Sequence, residues 1–113
     1  PLEEVMSVPK YLFQGSYTTE GLRGLIKDGG TKRRAVAQKG VASVGGRLEA
    51  YYFAFGENDV IGIVDAPDNV SVAALSLAVS AAGAFNLKTT LLLTPEEMHQ
   101  ATKKTVTYTA PGQ

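Results

Sequence analysis

The stretch YYFAFGENDVIGIVD, Tyr51 to Asp65, restricts the fold more than any other part of this chain. Two strand-like runs, Arg47 to Phe55 and Val60 to Asp65, are joined by Gly56-Glu57-Asn58-Asp59, a connection of the length that β-hairpins use. Alternate residues of a strand share a face. Plain alternation therefore puts Leu48, Ala50, Tyr52 and Ala54 on one side and Tyr51, Phe53 and Phe55 on the other, while Val60 and Val64 oppose Ile61 and Ile63. Both sides are apolar, whereas a sheet with one face in water would alternate with polar residues. Whatever fold this hairpin joins must cover it twice.

The flanking segments supply one of the two covers. Lys10 to Tyr17 reads as a first strand, followed by a helix that Thr18 or Thr19 caps and in which Leu22, Leu25 and Ile26 form a stripe. Asp28-Gly29-Gly30 ends or kinks that helix. A second helical stretch runs from about Thr31 to Val44, with Ala37, Val41 and Val44 in register and Gly40 weakening it by about 1 kcal/mol relative to alanine. Gly45-Gly46 stops it. Pro67-Asp68-Asn69 opens a helix over Val70 to Ala82, Gly83 closes it, and Phe85 to Leu93 alternates as a fourth strand. Thr94-Pro95-Glu96-Glu97 is a capping box that starts a short helix holding Met98 and His99.

The order strand, helix, strand, strand, helix, strand predicts an α+β, ferredoxin-like βαββαβ domain whose helices cover one face of a four-stranded antiparallel sheet. The domain spans residues 9–103. Residues 1–8 read as a leader, with Met6 a candidate native start, and residues 104–113 as a loose tail. The second apolar face exceeds what soluble monomers leave bare, which predicts a homodimer or a higher even oligomer sharing that face. Cover by the chain's own tail and terminal helix is the alternative.

Composition removes several functions. Eleven basic side chains balance eleven acidic ones, so no net field recruits nucleic acid or an anionic membrane. There is no cysteine and one histidine, His99, which excludes thiol nucleophiles, disulfide scaffolds, zinc fingers, iron-sulfur ligation and multi-histidine metal sites. No metal and no cofactor is expected. The uncharged run from Asn69 to Leu87 approaches the roughly 20 residues of a membrane span, but its serines, Gly83, Asn86 and many alanines suit a buried helix better. Glu3 and Glu4 with no apolar segment beside them argue against a signal peptide, so a cytoplasmic location is expected.

Four groups of residues carry candidate chemistry. In GGTKRR, Gly29 to Arg34, the cations Lys32, Arg33 and Arg34 oppose the helix dipole and would suit an anion, or else pair with Asp28, Glu57 or Asp59. Tyr11, Phe13, Gly15 and Tyr17 share a strand face and, with Tyr52 on a neighbouring strand, would line an apolar pocket with hydroxyls, or else fill a core. Glu57 and Asp59 are two positions apart, as paired carboxylates for a metal or for acid-base work would be, although a turn aspartate usually bonds its own backbone. His99 lies beside Glu96 and Glu97 in a charged helix and reads as a surface residue.

PKYLFQGSYT from Pro9, GGTKRR from Gly29, GGRLEAYYFAFGE from Gly45 and LKTTLLLTPEEM from Leu87 together resemble the GYD domain family of small, mostly bacterial proteins. The resemblance implies a dimeric α/β barrel. The family's Gly, Tyr and Asp correspond here to Gly56, Asn58 and Asp59, so the tyrosine is missing and no role can rest on a phenol there. The wider barrel class includes small monooxygenases, isomerases, dehalogenating enzymes, haem proteins and ligand sensors, and fold does not choose among them. Two functions are carried forward. One is an oligomer that binds a small anionic or aromatic molecule or serves assembly. The other is a cofactor-independent enzyme, of monooxygenase or isomerase type, on a small aromatic or quinone-like compound, with tyrosines positioning it and a Lys or Arg stabilising negative charge. A cavity with convergent Tyr and Arg groups favours the enzyme; a filled core disfavours it.

Overall fold

A computed structural model describes residues 8–113, and all but the last residue of the expected leader lies outside them. The strands are β1 (Lys10–Tyr17), β2 (Arg47–Phe53), β3 (Val60–Asp65) and β4 (Phe85–Leu92). The helices are α1 (Thr19–Asp28), α2 (Gly30–Ser43), α3 (Asn69–Ala81) and α4 (Pro95–Thr102). All strand pairs are antiparallel and the sheet order is β2-β3-β1-β4, that of the ferredoxin-like βαββαβ fold. Among the described residues no helix is long and apolar enough to cross a membrane.

Local chemistry explains most boundaries. The Thr18 hydroxyl accepts from the Gly21 N–H at 3.1 Å, the Asp68 carboxylate from the Ser71 N–H at 2.8 Å, and Thr94 and Glu97 form the reciprocal capping box. Gly29 separates α1 from α2 because its φ of +84° lies where residues with a Cβ are strained. β2 ends at Phe53, two residues earlier than the alternation predicts. There the Ala54 N–H turns to the Asp59 carbonyl at 2.9 Å, and Phe55 projects wholly into solvent.

One face of the sheet carries the core. Tyr11, Val64 and Ala66 meet Val41 of α2 and Val72 of α3, with Phe13, Leu48 and Leu75 packed around them, and Val64 is only 1% exposed. The stripe expected on α1 is not part of it. The residue α1 buries is Gly21, whose missing Cβ would stand 2.0 Å from the Ala84 carbonyl oxygen, and Ile26 is left 83% exposed. The small residue lets the helix backbone sit close, so Leu22 and Ile26 turn outward and Leu25 stays half-buried.

A bulge corrects the face assignment of β2. Leu48 pairs with Val64 and Ala50 with Ile63, leaving Glu49 as an extra residue. Because directly paired residues share a face, Leu48 lies with Tyr51 and Phe53 on the helix side, while Ala50 and Tyr52 lie on the other. That second face carries an apolar strip of Tyr52, Ile61, Ile63 and Leu12 across β2, β3 and β1, with polar Gln14 and Ser16 farther along β1 and Lys88 and Thr90 on β4. Tyr52 is 70% exposed there and Ile61 37%.

Glu49 closes an ion network at one end of this open face. Lys10 Nζ lies 2.8 Å from Glu49 and 2.7 Å from Asp65, and an Arg47 guanidinium nitrogen lies 2.7 Å from the other Asp65 oxygen. Burial by itself would raise the Asp65 carboxyl, but hydrogen bonds from Lys10 and Arg47 outweigh it and hold the group below its usual 3.8. A depressed carboxylate stabilises the fold above the unfolded value, and that contribution disappears as pH falls through the folded value. Asp65→Asn is expected to cost about 1.5–3 kcal/mol at neutral pH, the worth of hydrogen bonds to charged groups, and to flatten the loss of stability below pH 3.8. Urea denaturation at pH 7 and pH 3 checks both effects.

Candidate ligand cleft

α2 packs over the β2 flank of the sheet and α3 over the β4 flank; they share the core around Val41, Val72 and Leu75 and leave a gap beside that contact. Their facing sides carry Ala37 and Gly40 on one helix and Leu75, Ala78 and Val79 on the other; Leu75 comes to 3.7 Å of a Cβ built on Gly40, while the alanines are too short to fill the space beside that contact. The result is a cleft of about 440 Å³ with Phe13, Gly62, Val64 and Leu87 in its floor. That volume is in the range of small-molecule sites, roughly 300–1,000 Å³.

Four polar side chains line this largely apolar cleft: Tyr17 from the end of β1, Tyr51 from β2, Arg33 from the first turn of α2, and Ser43 from its last, whose hydroxyl donates to the Gly40 carbonyl at 2.6 Å. Each phenol is braced by an aromatic neighbour. Tyr17 stands edge-on to Phe85 at 4.9 Å, and Tyr51 edge-on to Phe53 at 5.4 Å. Burial, then the adjacent Tyr17 hydroxyl, pushes the Tyr51 phenol far above its ordinary 10, with the Arg33 guanidinium opposing the shift. Tyr51 is therefore a proton-bearing donor throughout the physiological range.

The residues named from sequence are divided among different places. Tyr17 and Arg33 reach the cleft. Tyr11 is buried in the core and its hydroxyl donates to Asn69 Oδ1 at 2.6 Å, so it is structural. Tyr52 lies on the open face of the sheet, opposite Tyr11 and Tyr17, which corrects the shared pocket expected of the three. Lys32 and Arg33 both approach Asp28 at 3.5 Å, one of the ion pairs foreseen, and Arg34 is exposed away from the cleft. The cationic run is thus not a single anion site, and Arg33 alone of the three lines the cleft.

Tyr51 is the site residue that sequence reasoning missed. Two adjacent strand tyrosines must point to opposite faces, so one of them had to enter the helix side. The signal was Gly62, which pairs with both Phe13 and Tyr51 and leaves room between two large rings. No group of three His, Cys, Asp or Glu side chains able to hold a metal occurs among the described residues. His99 is exposed on α4 and does not line the cleft.

In the hairpin, Gly56 and Glu57 are exposed, Asn58 is half-buried, and the Asp59 carboxylate does not bond its own turn. It accepts from the Tyr17 N–H at 2.9 Å. With that geometry established, comparison with known proteins adds one finding: residues 11–102 match the family model described as the GYD domain. No curated protein and no solved structure matches the chain.

Proposed function

Since this chain belongs to the GYD domain family and carries an open apolar cleft, we propose that it binds a small, flat, largely apolar molecule bearing an acceptor or anionic oxygen. The observation that carries this reading is the convergence of Tyr17, Tyr51 and Arg33 at a cleft that the small helix residues leave unfilled. Unfilled apolar lining forfeits dispersion contacts that a bound ring would restore. Two phenols and a guanidinium present donors, the guanidinium sharing itself with Asp28 at 3.5 Å and no carboxylate lining the cleft, so they suit a carbonyl, carboxylate or phenolate group. The protein works as a homodimer or higher even oligomer whose open sheet faces cover one another, supported by an apolar strip of exposed Tyr52 and Ile61 with half-buried Ile63 and Leu12. The absence of cysteine fits a cytoplasmic setting.

A second reading, a cofactor-independent enzyme on an aromatic or quinone-like compound, is favoured by the same convergence. Donors held in a partly dry site are placed to stabilise an oxyanion that develops on the bound compound. Chromatography coupled to mass spectrometry of the co-incubated compound separates the two, because oxygenation appears as a mass change and isomerisation as a new elution position at the same mass, whereas simple binding returns the compound unaltered.

The aromatic anion 8-anilinonaphthalene-1-sulfonate serves as a fluorescent probe of the cleft. Arg33→Ala and Tyr51→Phe are each expected to weaken it by about 5- to 10-fold, the net worth of one hydrogen bond. Ala37→Phe, which fills the cleft, should abolish binding, and Tyr11→Phe should leave it unchanged. Undiminished binding by a folded Ala37→Phe protein would remove the cleft from consideration.

A further inference from the structure

The β2–β3 connection is unattached at its tip and firmly attached at its last residue. Phe55, Gly56 and Glu57 are exposed, and a Cβ built on Gly56 would meet nothing within 4 Å. Asp59, by contrast, is bonded three ways. Its carbonyl accepts from the Ala54 N–H at 2.9 Å, its N–H donates to the Gly15 carbonyl at 2.7 Å, and its carboxylate accepts from the Tyr17 N–H at 2.9 Å.

These bonds fall where the backbone ladder stops. Pairing between β1 and β3 ends at Gly15 and Val60, while pairing between β1 and β4 continues to Tyr17 and Phe85. On the β3 side the Tyr17 N–H would face the end of a strand that no longer runs beside it. The Asp59 carboxylate takes the place of the missing strand carbonyl, and a charged acceptor makes the stronger bond. On the other side Thr18 N–H donates to the Ala84 carbonyl at 3.0 Å, so the residues that carry the Tyr17 ring into the cleft are held from both flanks.

We infer that Asp59 is a positioning residue for the cleft: through the Tyr17 amide it sets where one of the two phenols meets a ligand's oxygen. This rests on the cleft reading for its consequence, although the positioning itself is a property of the fold. Asp59 does not line the cleft, and it acts on a ligand only by way of Tyr17. The hairpin acid is thereby linked to ligand recognition rather than to turn formation.

A double-mutant cycle on the full chain tests it, read with 8-anilinonaphthalene-1-sulfonate and with amide hydrogen exchange by NMR. Asp59→Ala is expected to weaken the probe about five-fold in the wild-type background and to have almost no effect in a Tyr17→Phe background, since residues acting as one unit are not additive. Asp59→Asn, which keeps a neutral acceptor oxygen, should recover part of the loss. In the exchange experiment the Tyr17 amide loses protection in Asp59→Ala and regains part of it in Asp59→Asn, with Thr18 unchanged. Equal weakening in both backgrounds, or undisturbed Tyr17 protection, overturns the inference.

If the wild-type protein ignores the probe, the cleft reading fails and the exchange experiment alone decides whether Asp59 positions Tyr17. Should Asp59→Ala not fold, Asp59→Asn carries the test. Reduced protection at Tyr17 with none at Thr18 supports the inference, and no change at Tyr17 refutes it.

Discussion

Gly15→Ala is expected to destabilise the protein by about 3 kcal/mol, at the upper end of what an overpacked site normally costs. β1 lies between β3 and β4, and at Gly15 the neighbouring chain comes unusually close. A Cβ there would stand 2.0 Å from the Asn86 carbonyl oxygen, 2.9 Å from its carbon and 2.7 Å from the Phe85 ring. The ring can rotate; the backbone carbonyl cannot move without disturbing the pairing of β1 with β4. With a total stability of roughly 5–15 kcal/mol, such a loss removes a large fraction of the margin.

Urea denaturation should show a lower midpoint with an unchanged slope, because the native state stays equally compact. Gly24→Ala is the matched control. Gly24 lies inside α1 with nothing within 4 Å of a built Cβ, so alanine should stabilise by about 0.5–1 kcal/mol through helix propensity. If Gly15→Ala unfolds at the wild-type midpoint, the close approach of β4 to β1 is wrong. The displaced strand end would also shift Tyr17, so a loss of probe affinity should accompany the loss of stability.

Ile61→Asp is expected to halve the particle mass while leaving each chain folded. Ile61 pairs with Gln14 on β1 and with Tyr52 on β2 and projects from the face opposite the helices. A carboxylate at that point, covered by the apolar face of a second copy and given no cation to pair with, would cost several kcal/mol, roughly 3 or more even after relaxation. In the separated chain it would simply meet water. Sedimentation velocity on the wild-type and variant proteins, with far-UV circular dichroism to verify folding, gives the result. A wild-type monomer, or an Ile61→Asp protein that keeps an even-numbered mass, would defeat the oligomer proposal.

Phe53→Asp makes the complementary case. Phe53 is on the helix side, edge-on to Tyr51, and a Cβ on Gly30 would approach its ring to 3.0 Å. Substitution there should disturb the seat of α2 and the cleft phenol without altering the mass. The contrast between two neighbouring strands, one change acting on assembly and the other on the cleft, depends on knowing which face each residue occupies.

That knowledge was only partly in the sequence. The order of elements was legible because its signals act over a few residues: Thr18, Asp68 and Thr94 as caps, Gly29 and Gly45 as stops, apolar alternation in β1 and a short apolar run in β3. The face assignment of β2 was legible only as far as strict alternation holds, and the bulge at Glu49 shifts Leu48 to the side of Tyr51. Nothing local to Arg47–Phe53 announces that extra residue. The outward stripe of α1 was misread for a related reason, since Leu22 and Ile26 have helical spacing but Gly21 is the residue that admits the Ala84 carbonyl.

The amino-acid sequence by itself determined the family, the βαββαβ order, the apolar second face of the hairpin and the exclusion of thiol and multi-histidine chemistry, because each follows from residue type or short-range spacing. Tertiary structure alone decided that Tyr51 rather than Tyr52 joins Tyr17 and Arg33, and that Asp59 holds the Tyr17 amide across 42 positions of chain. Those outcomes depend on strand register and on backbone groups left without a ladder partner, and neither exists until distant segments have paired.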